Sequence, residues 1–520
     1  MSAKRTIFNQ CRGKQRGAAL MVMLIILIIG AATLLVSALN SSSIQIERDK
    51  VTADALAKAK EALIGRAVTD ANRPGSLPCP DSNNDGSADL LSGNDCPSYI
   101  GRLPWKTLGI SDLRDGSGER LWYGLSRNFR DDNSNPINSD NAGTLNISGT
   151  TVASGIVAIV FAPGVALSGQ SRSATTMINC VSNPNGNVPE SNCSTSYLEP
   201  SGNAVQVNST PSNSALSTAA TTHVNYLAGM PSSTFNDQAI YITHDQLFAP
   251  VEMRIAREAK KCLDDYALTV AGKYPWAAPI IDTTTYNSTI NTYFGRIPAS
   301  PTPNAQTLST ALTSLQAAIN AFNANPISSN KTALINVSNY VISIKNLIPA
   351  ISNQVDNAGD SGVTYANSPT VSNYSNAIAG LNTAISALSP YLWAANCFVA
   401  GTYWDYWKNM VFYQVAQGFE PGSAGTSCGA NCLTINGSGN TAQGNGSYRA
   451  AVVVARRGIG AQMPHTTTSD SSYLEANAQG SNQHVTAPSN TFITYSLSDT
   501  TNFLTVNDLV LCLDGNINCK

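Results

Sequence analysis

The chain has 520 residues, long enough for roughly two to four domains with cores of their own. Only 12% of them are charged. Its 31 basic residues face 33 acidic ones, and five of the basic ones (Lys4, Arg5, Arg12, Lys14 and Arg16) lie in the first 17 positions. The part beyond that leader is acidic, which excludes a general nucleic-acid binder with its basic footprint. The abundance of Ser, Thr, Asn and Gly fits an exported surface protein better than a cytosolic enzyme.

From Ala18 to Leu39 no residue is charged. At 1.5 Å per residue this stretch would reach about 33 Å, the length of a bilayer-crossing helix, with its basic flank on the cytoplasmic side. Val36-Ser37-Ala38 would pass as a signal-peptide cleavage site. The apolar stretch is longer than such a peptide's core, however, and no Pro or turn cluster interrupts it. It runs into a segment where Ile44, Ile46, Val51, Ala55, Leu56, Ala59, Leu63 and Ile64 recur near helical spacing, with Lys and Glu between. The pattern predicts one helix from 18 to about 68, apolar in its first half and amphipathic in its second.

This start resembles that of type IV pilins and type II secretion pseudopilins. The matching residues are a short basic leader ending in Gln15-Arg16-Gly17, then Ala18-Ala19-Leu20-Met21-Val22. The resemblance covers about 50 residues. It implies a cut by prepilin peptidase between Gly17 and Ala18, methylation of the new N-terminus, and packing against other pilins or pseudopilins through this helix. It also implies a single pass of the inner membrane with a periplasmic head, followed by entry into an extracellular filament or pseudopilus tip. Most family members carry Glu at the fifth position after the cut, where this chain has Val22. A subunit without that carboxylate has none to offer a neighbour ahead of it, which implies a place at or near the tip.

Beyond the helix the chain echoes itself in order, the signature of a diverged duplication. AIVFAPGVALSGQ (158–170) matches AVVVARRGIGAQ (451–462), SYLE recurs at 196–199 and 472–475, and TFNDQAIYI (234–242) matches TVNDLVLCL (505–513). The helix at 55–68 corresponds to one at 254–268. Pro104-Trp105 is paired with Pro275-Trp276, and the aromatic strand 119–126 with 409–416. The fold class expected is α+β: a long N-terminal transmembrane helix, then a duplicated pilin-like head of helix packed on antiparallel sheet. The boundaries are 1–17 for the leader, 18–68 for the helix, 69–250 for the first unit and 251–520 for the second. A helical insertion at about 300–396 is marked by Leu308, Leu312, Leu315, Ile319 and Phe322 on one helix. Leu334, Val337, Val341, Ile344 and Ile348 mark a second, and Tyr374, Ile378, Leu381, Ile385 and Leu388 a third.

Of 11 cysteines, Cys11 lies in the leader. The others (Cys79, Cys96, Cys180, Cys193, Cys262, Cys397, Cys428, Cys432, Cys512 and Cys519) form an even set suited to disulfides in an oxidising compartment. Nearest neighbours would pair as 79–96, 180–193, 262–397, 428–432 and 512–519, but sequence leaves the connectivity open.

The most pointed motif is CPDSNNDGSADLLSGNDC (79–96), where Asp81, Asn83, Asp85, Gly86 and Asp89 fit the start of a calcium loop. Its twelfth position is Ser92 instead of a bidentate Glu, so a structural Ca²⁺ would be held weakly; the alternative is an Asx-rich turn. The isolated His223, His244, His465 and His484 lack metal-ligand spacing, and no catalytic or phosphate-cradling motif is present. The function expected is non-catalytic: a minor pilin or pseudopilin that primes assembly and presents a surface head. The alternatives are a tip adhesin for a surface or secreted substrate, and a single-pass membrane-anchored periplasmic protein that does not polymerise.

Overall fold

The computed structural model describes residues 16–179, 187–199, 212–215, 217, 218, 223–288, 292–437, 448–462, 465, 469–477, 480–484, 490–494 and 506–514. The first element is a single helix, α1 (Arg16–Thr69). In its second half Ala55, Leu56, Ala59, Leu63 and Ala67 are buried at helical spacing, forming the stripe by which it joins the core. Asp70 closes the helix, its Oδ1 accepting the N–H groups of Asn72 and Arg73, each at 2.8 Å.

The transmembrane segment expected at 18–39 is not upheld. Among the described residues no helix is long and apolar enough to cross a membrane. The fold class is corrected to a mixed α and β architecture with several sheets. The membrane anchoring and the inner-membrane, single-pass location expected above fall with the span.

The first unit follows with strands β1 (Ile100–Arg102), β2 (Trp122–Leu125), β3 (Leu145–Gly149) and β4 (Ala153–Ala162). A small hairpin, β5 (Met177–Asn179) and β6 (Asn187–Pro189), leads to β7 (Asn225–Ala228) and β8 (Gln238–Thr243). β4 is central: it pairs antiparallel with β2, β3 and β8, and β7 lies parallel to β3. Its buried run from Ile156 to Ala162 forms the floor on which α1 packs.

Helix α2 (His244–Thr269) opens the second unit behind a capping box, in which Thr243 and Gln246 satisfy each other's backbone N–H groups. Strand β9 (Phe294–Arg296) precedes four helices: α3 (Ala305–Ala324), α4 (Ser328–Ser343), α5 (Ser352–Asn367) and α6 (Val371–Leu388). These form a bundle with its own core, including Leu308, Leu312, Leu315, Ile319, Leu334, Val355 and Leu381. After the short α7 (Trp404–Trp407) come β10 (Val411–Val415), β11 (Thr434–Gly437) and β12 (Ala450–Val454). The last strands are β13 (Ala476–Asn477), β14 (Gly480–Ser481), β15 (Thr491–Thr494) and β16 (Leu509–Leu513). The order β16-β12-β10-β9 is antiparallel throughout, and β11 lies parallel to β15.

The two units therefore repeat one plan. β1, β2, β4 and β8 correspond to β9, β10, β12 and β16, and the parallel pair β3–β7 corresponds to β11–β15. Hydrogen bonds fix the correspondence. Tyr123 donates its hydroxyl to Pro78 O at 3.3 Å, and Tyr413 donates to Pro275 O at 3.0 Å. Backbone bridges Asp81↔Arg102 and Ala278↔Arg296 match as well. The counterpart of Pro275 is thus Pro78, and the two Pro-Trp steps paired in the sequence are not equivalent. Gly101 and Gly295 serve the same close crossing: a Cβ there would lie 2.7 Å from Asp81 O and 2.0 Å from Ala278 O.

Disulfides join Cys79 to Cys96, Cys262 to Cys397 and Cys428 to Cys432. The second ties α2 to the chain returning from the bundle. Cys193 and Cys512 are also disulfide-bonded, while Cys180 and Cys519 lie outside the described residues.

Candidate functional site

Helix α1 divides into a half that belongs to the core and a half that does not. From Met21 to Ile29 every side chain is large, apolar and between 51% and 74% exposed. Nine such residues in succession leave an uncovered surface on all sides of the helix, unlike a stripe facing one core. Gly17 and Ala18 lie in the first turn, and Val22, at 56% exposure, belongs to the uncovered run.

The Asp-rich loop is built around Asp81, which is buried. Its Oδ1 accepts the N–H groups of Asn83 and Asn84 at 3.1 and 2.6 Å, and its Oδ2 that of Gly86 at 2.7 Å. Asn83 accepts from Asp85 N, Asp85 from Ser87 N, and Asp89 from Ser82 N. Gly86, at φ +88°, lies so close to the Trp105 indole that a Cβ would meet it at 2.5 Å. Burial, reinforced by the charge of Asp85, raises the carboxyls of Asp81 and Asp89. Among the described residues, no three His, Cys, Asp or Glu side chains form a group that could hold a metal ion. Asp89 Oδ2 is buried without a hydrogen-bond partner.

The repeated Tyr-Leu-Glu marks a polar core present in both units. In the first, the buried Arg102 guanidinium lies 4.3 Å from the Trp122 ring centre and 3.9 Å from that of Tyr197. In the second, Arg296 lies 3.8 Å from Phe412 and 4.6 Å from Tyr473. Glu199 Oε2 accepts the N–H groups of Asn236 and Asp237, as Glu475 Oε2 accepts those of Asn507 and Asp508. Asp237 Oδ2 takes Glu199 N and Asn213 Nδ2, both at 2.9 Å; Asp508 Oδ2 takes Glu475 N at 3.0 Å and Asn482 Nδ2 at 2.9 Å. Each Asn then brackets one backbone position, Leu227 or Ile493, with both halves of its amide.

Each core also buries carboxyl oxygens without a hydrogen-bond partner: Asp237 Oδ1 in the first, Glu475 Oε1 and Asp508 Oδ1 in the second. Burial first, and the partner's negative charge second, push Asp237 and Asp508 well above the usual carboxylate range. Burial lowers Arg102 and Arg296 to about 10, still cationic at neutral pH.

A second buried cluster joins the units. Arg456 Nε donates to Glu252 Oε2, and Ser139 Oγ donates to Glu252 Oε1 at 2.8 Å. His244 Nδ1 meets Asp245 Oδ1 at 2.9 Å, and its Nε2 meets the Ser139 carbonyl at 2.8 Å. Serine, histidine and aspartate gather here, yet the histidine faces the serine's backbone and the hydroxyl is held by Glu252. This geometry makes no nucleophile.

The residues missed in the sequence are Arg102, Arg296, Asn213 and Asn482, together with the acidic partners Asp237 and Asp508. Their one visible trace was the Asn-Asp step shared by the repeats at 236–237 and 507–508. Comparison with known protein families, with curated proteins and with solved structures finds no match to this chain.

Proposed function

We propose that the protein is a non-catalytic assembly subunit of the pilin or pseudopilin kind, joined to like subunits by α1 and presenting a two-unit head. The observation that carries this reading is the uncovered run Met21–Ile29, continuous with a helix whose other half is locked into the core. Apolar surface left in water is costly at about 25 cal/mol per Å², and packing among like helices removes it. Val22 places no carboxylate in that surface, which supports a position at or near the tip, where the subunit would prime assembly. The buried ionic clusters are wired to structural partners, which supports a head that displays a surface and performs no chemistry. Processing by prepilin peptidase after Gly17 belongs to this reading. N-terminal sequencing of the mature protein tests it: a methylated Ala18 start is expected, and an intact leader would refute the processing.

A structural Ca²⁺ in the 79–96 loop is favoured by one atom, the unpartnered Asp89 Oδ2, together with carboxyls of Asp81 and Asp89 that a cation would relieve of their raised pKa. Melting the protein with and without chelator is the test. A lower Tm in chelator, abolished by Asp89→Asn, is expected; equal melting curves would remove calcium from the account.

A further inference from the structure

The loop 131–144 of the first unit carries no helix or strand, yet its middle is seated against the second unit. Asn138 Nδ2 donates to Tyr406 O at 2.9 Å, and Ser139 Oγ to Glu252 Oε1 at 2.8 Å. Two of the chain's four histidines close on successive residues of this loop. His244, the first residue of α2, places Nε2 2.8 Å from the Ser139 carbonyl oxygen, and His465 places Nδ1 2.8 Å from Asp140 Oδ1. Both rings are shut away from solvent, at 5% and 1% exposure, and pack on Phe248 and Tyr473.

The partners of His244 decide what its protonation does. A carbonyl oxygen only accepts, so Nε2 has to carry a proton to bond Ser139. Nδ1 lies 2.9 Å from Asp245 Oδ1. Burial opposes ionisation of Asp245, but the His244 hydrogen bond and the charges of Arg456 and Arg457 hold its carboxyl below the usual range, so this oxygen also only accepts. A neutral ring has one N–H and leaves its other nitrogen facing an oxygen; an imidazolium satisfies both. Protonation likewise turns the His465 contact with Asp140 into an ion pair. Arg456 and Arg457 oppose a further positive charge at His244, but Arg456 is engaged by Glu252, its Nε donating to Oε2. The N-terminal end of α2 opposes it too, and Asp245 in the same turn offsets that effect.

We propose that residues 133–141 form a pH-sensitive clasp between the two units, closed while His244 and His465 are protonated and loosened when they lose that proton. The inference is independent of the assembly reading, since every group involved lies in the head. Hydrogen exchange of the full chain, read by mass spectrometry at about pH 5.5 and about pH 8 with times scaled for the intrinsic rate, tests it on either side of the ordinary histidine range. Protection of peptides covering 133–141, taken relative to those of β4, is expected to fall about tenfold or more at the higher pH, the scale of one lost hydrogen bond to a charged group. The variant Asp140→Asn/Asp245→Asn gives the neutral rings amides that donate where the carboxylates only accept. Those side chains are 40% and 49% exposed, so the variant should fold as wild type, and its relative protection should not change with pH. Equal protection of the wild-type segment at both pH values would overturn the proposal. So would an undiminished fall in the double variant.

Discussion

Asp237 and Asp508 are the residues on which the cores of the two units turn. Their pKa values, and those of Glu199 and Glu475, are raised on folding, so between the ordinary carboxylate range near 4 and the raised values the folded state holds more protons than the unfolded one. The stability they contribute is fully present below about pH 4 and is lost as pH rises through the folded values. Carboxylates held low elsewhere, such as Asp95 hydrogen-bonded to Arg127, run the opposite way. The difference between wild type and Asp237→Asn therefore isolates one pair. Denaturant unfolding from pH 4 to pH 9 should show the variant's stability declining less than that of wild type, by about 1.4 kcal/mol for each pH unit of displacement removed. Parallel profiles would mean that folding does not raise the Asp237 carboxyl. The repetition of Tyr-Leu-Glu and Asn-Asp was legible in the sequence, but its wiring was not. Arg102 and Tyr197 are far apart in the chain, and an inserted bundle stretches the matching separation between Arg296 and Tyr473, so no local spacing joins them.

At the scale of elements, legibility followed side-chain size. The stripe Leu308, Leu312, Leu315, Ile319 and Phe322 is the buried face of α3, and large apolar residues at helical spacing announce such a face directly. The buried face of α5 carries few large apolar residues: Val355 and Tyr365 stand among Ala358, Gly359, Gly362 and Ala366. A Cβ at Gly359 would lie 2.5 Å from Ile342 Cγ1 and 2.9 Å from the backbone oxygen of Ser338. α5 thus approaches α4 closely through glycine. Substitution reads this out by sign. Gly65→Ala in α1, with nothing within 4 Å of the new Cβ, should stabilise by up to about 1 kcal/mol through helix propensity. Gly359→Ala has the same propensity gain but must displace backbone, so it should destabilise by roughly 1–2 kcal/mol. Denaturation midpoints of both variants decide the matter; a stabilised Gly359→Ala would show that the helices are not in close contact there.

Over the described residues, two units follow a matching strand order, one of them interrupted by a helical bundle, beside a single helix that outruns the core. The duplication was legible because strands β4 and β12, the Tyr-Leu-Glu turns and strands β8 and β16 keep their order. One of its links was misassigned: Pro-Trp recurs by sequence, whereas the tyrosine hydrogen bonds make Pro78 the partner of Pro275. The N-terminal segment was legible as a helix, but among the described residues no helix is long and apolar enough for the membrane role its length and basic flank suggested. Its uncovered apolar side chains remain the strongest indication of what the chain does. The most direct test of the assembly reading is Ile26→Asp, a change at an exposed position 65% open to solvent that should leave the head's Tm within the small range of surface substitutions. In cells of the native host, the variant should fold as wild type yet be absent from sedimented filaments and from cross-links to like subunits. Recovery of Ile26→Asp in filaments at wild-type abundance would contradict the account.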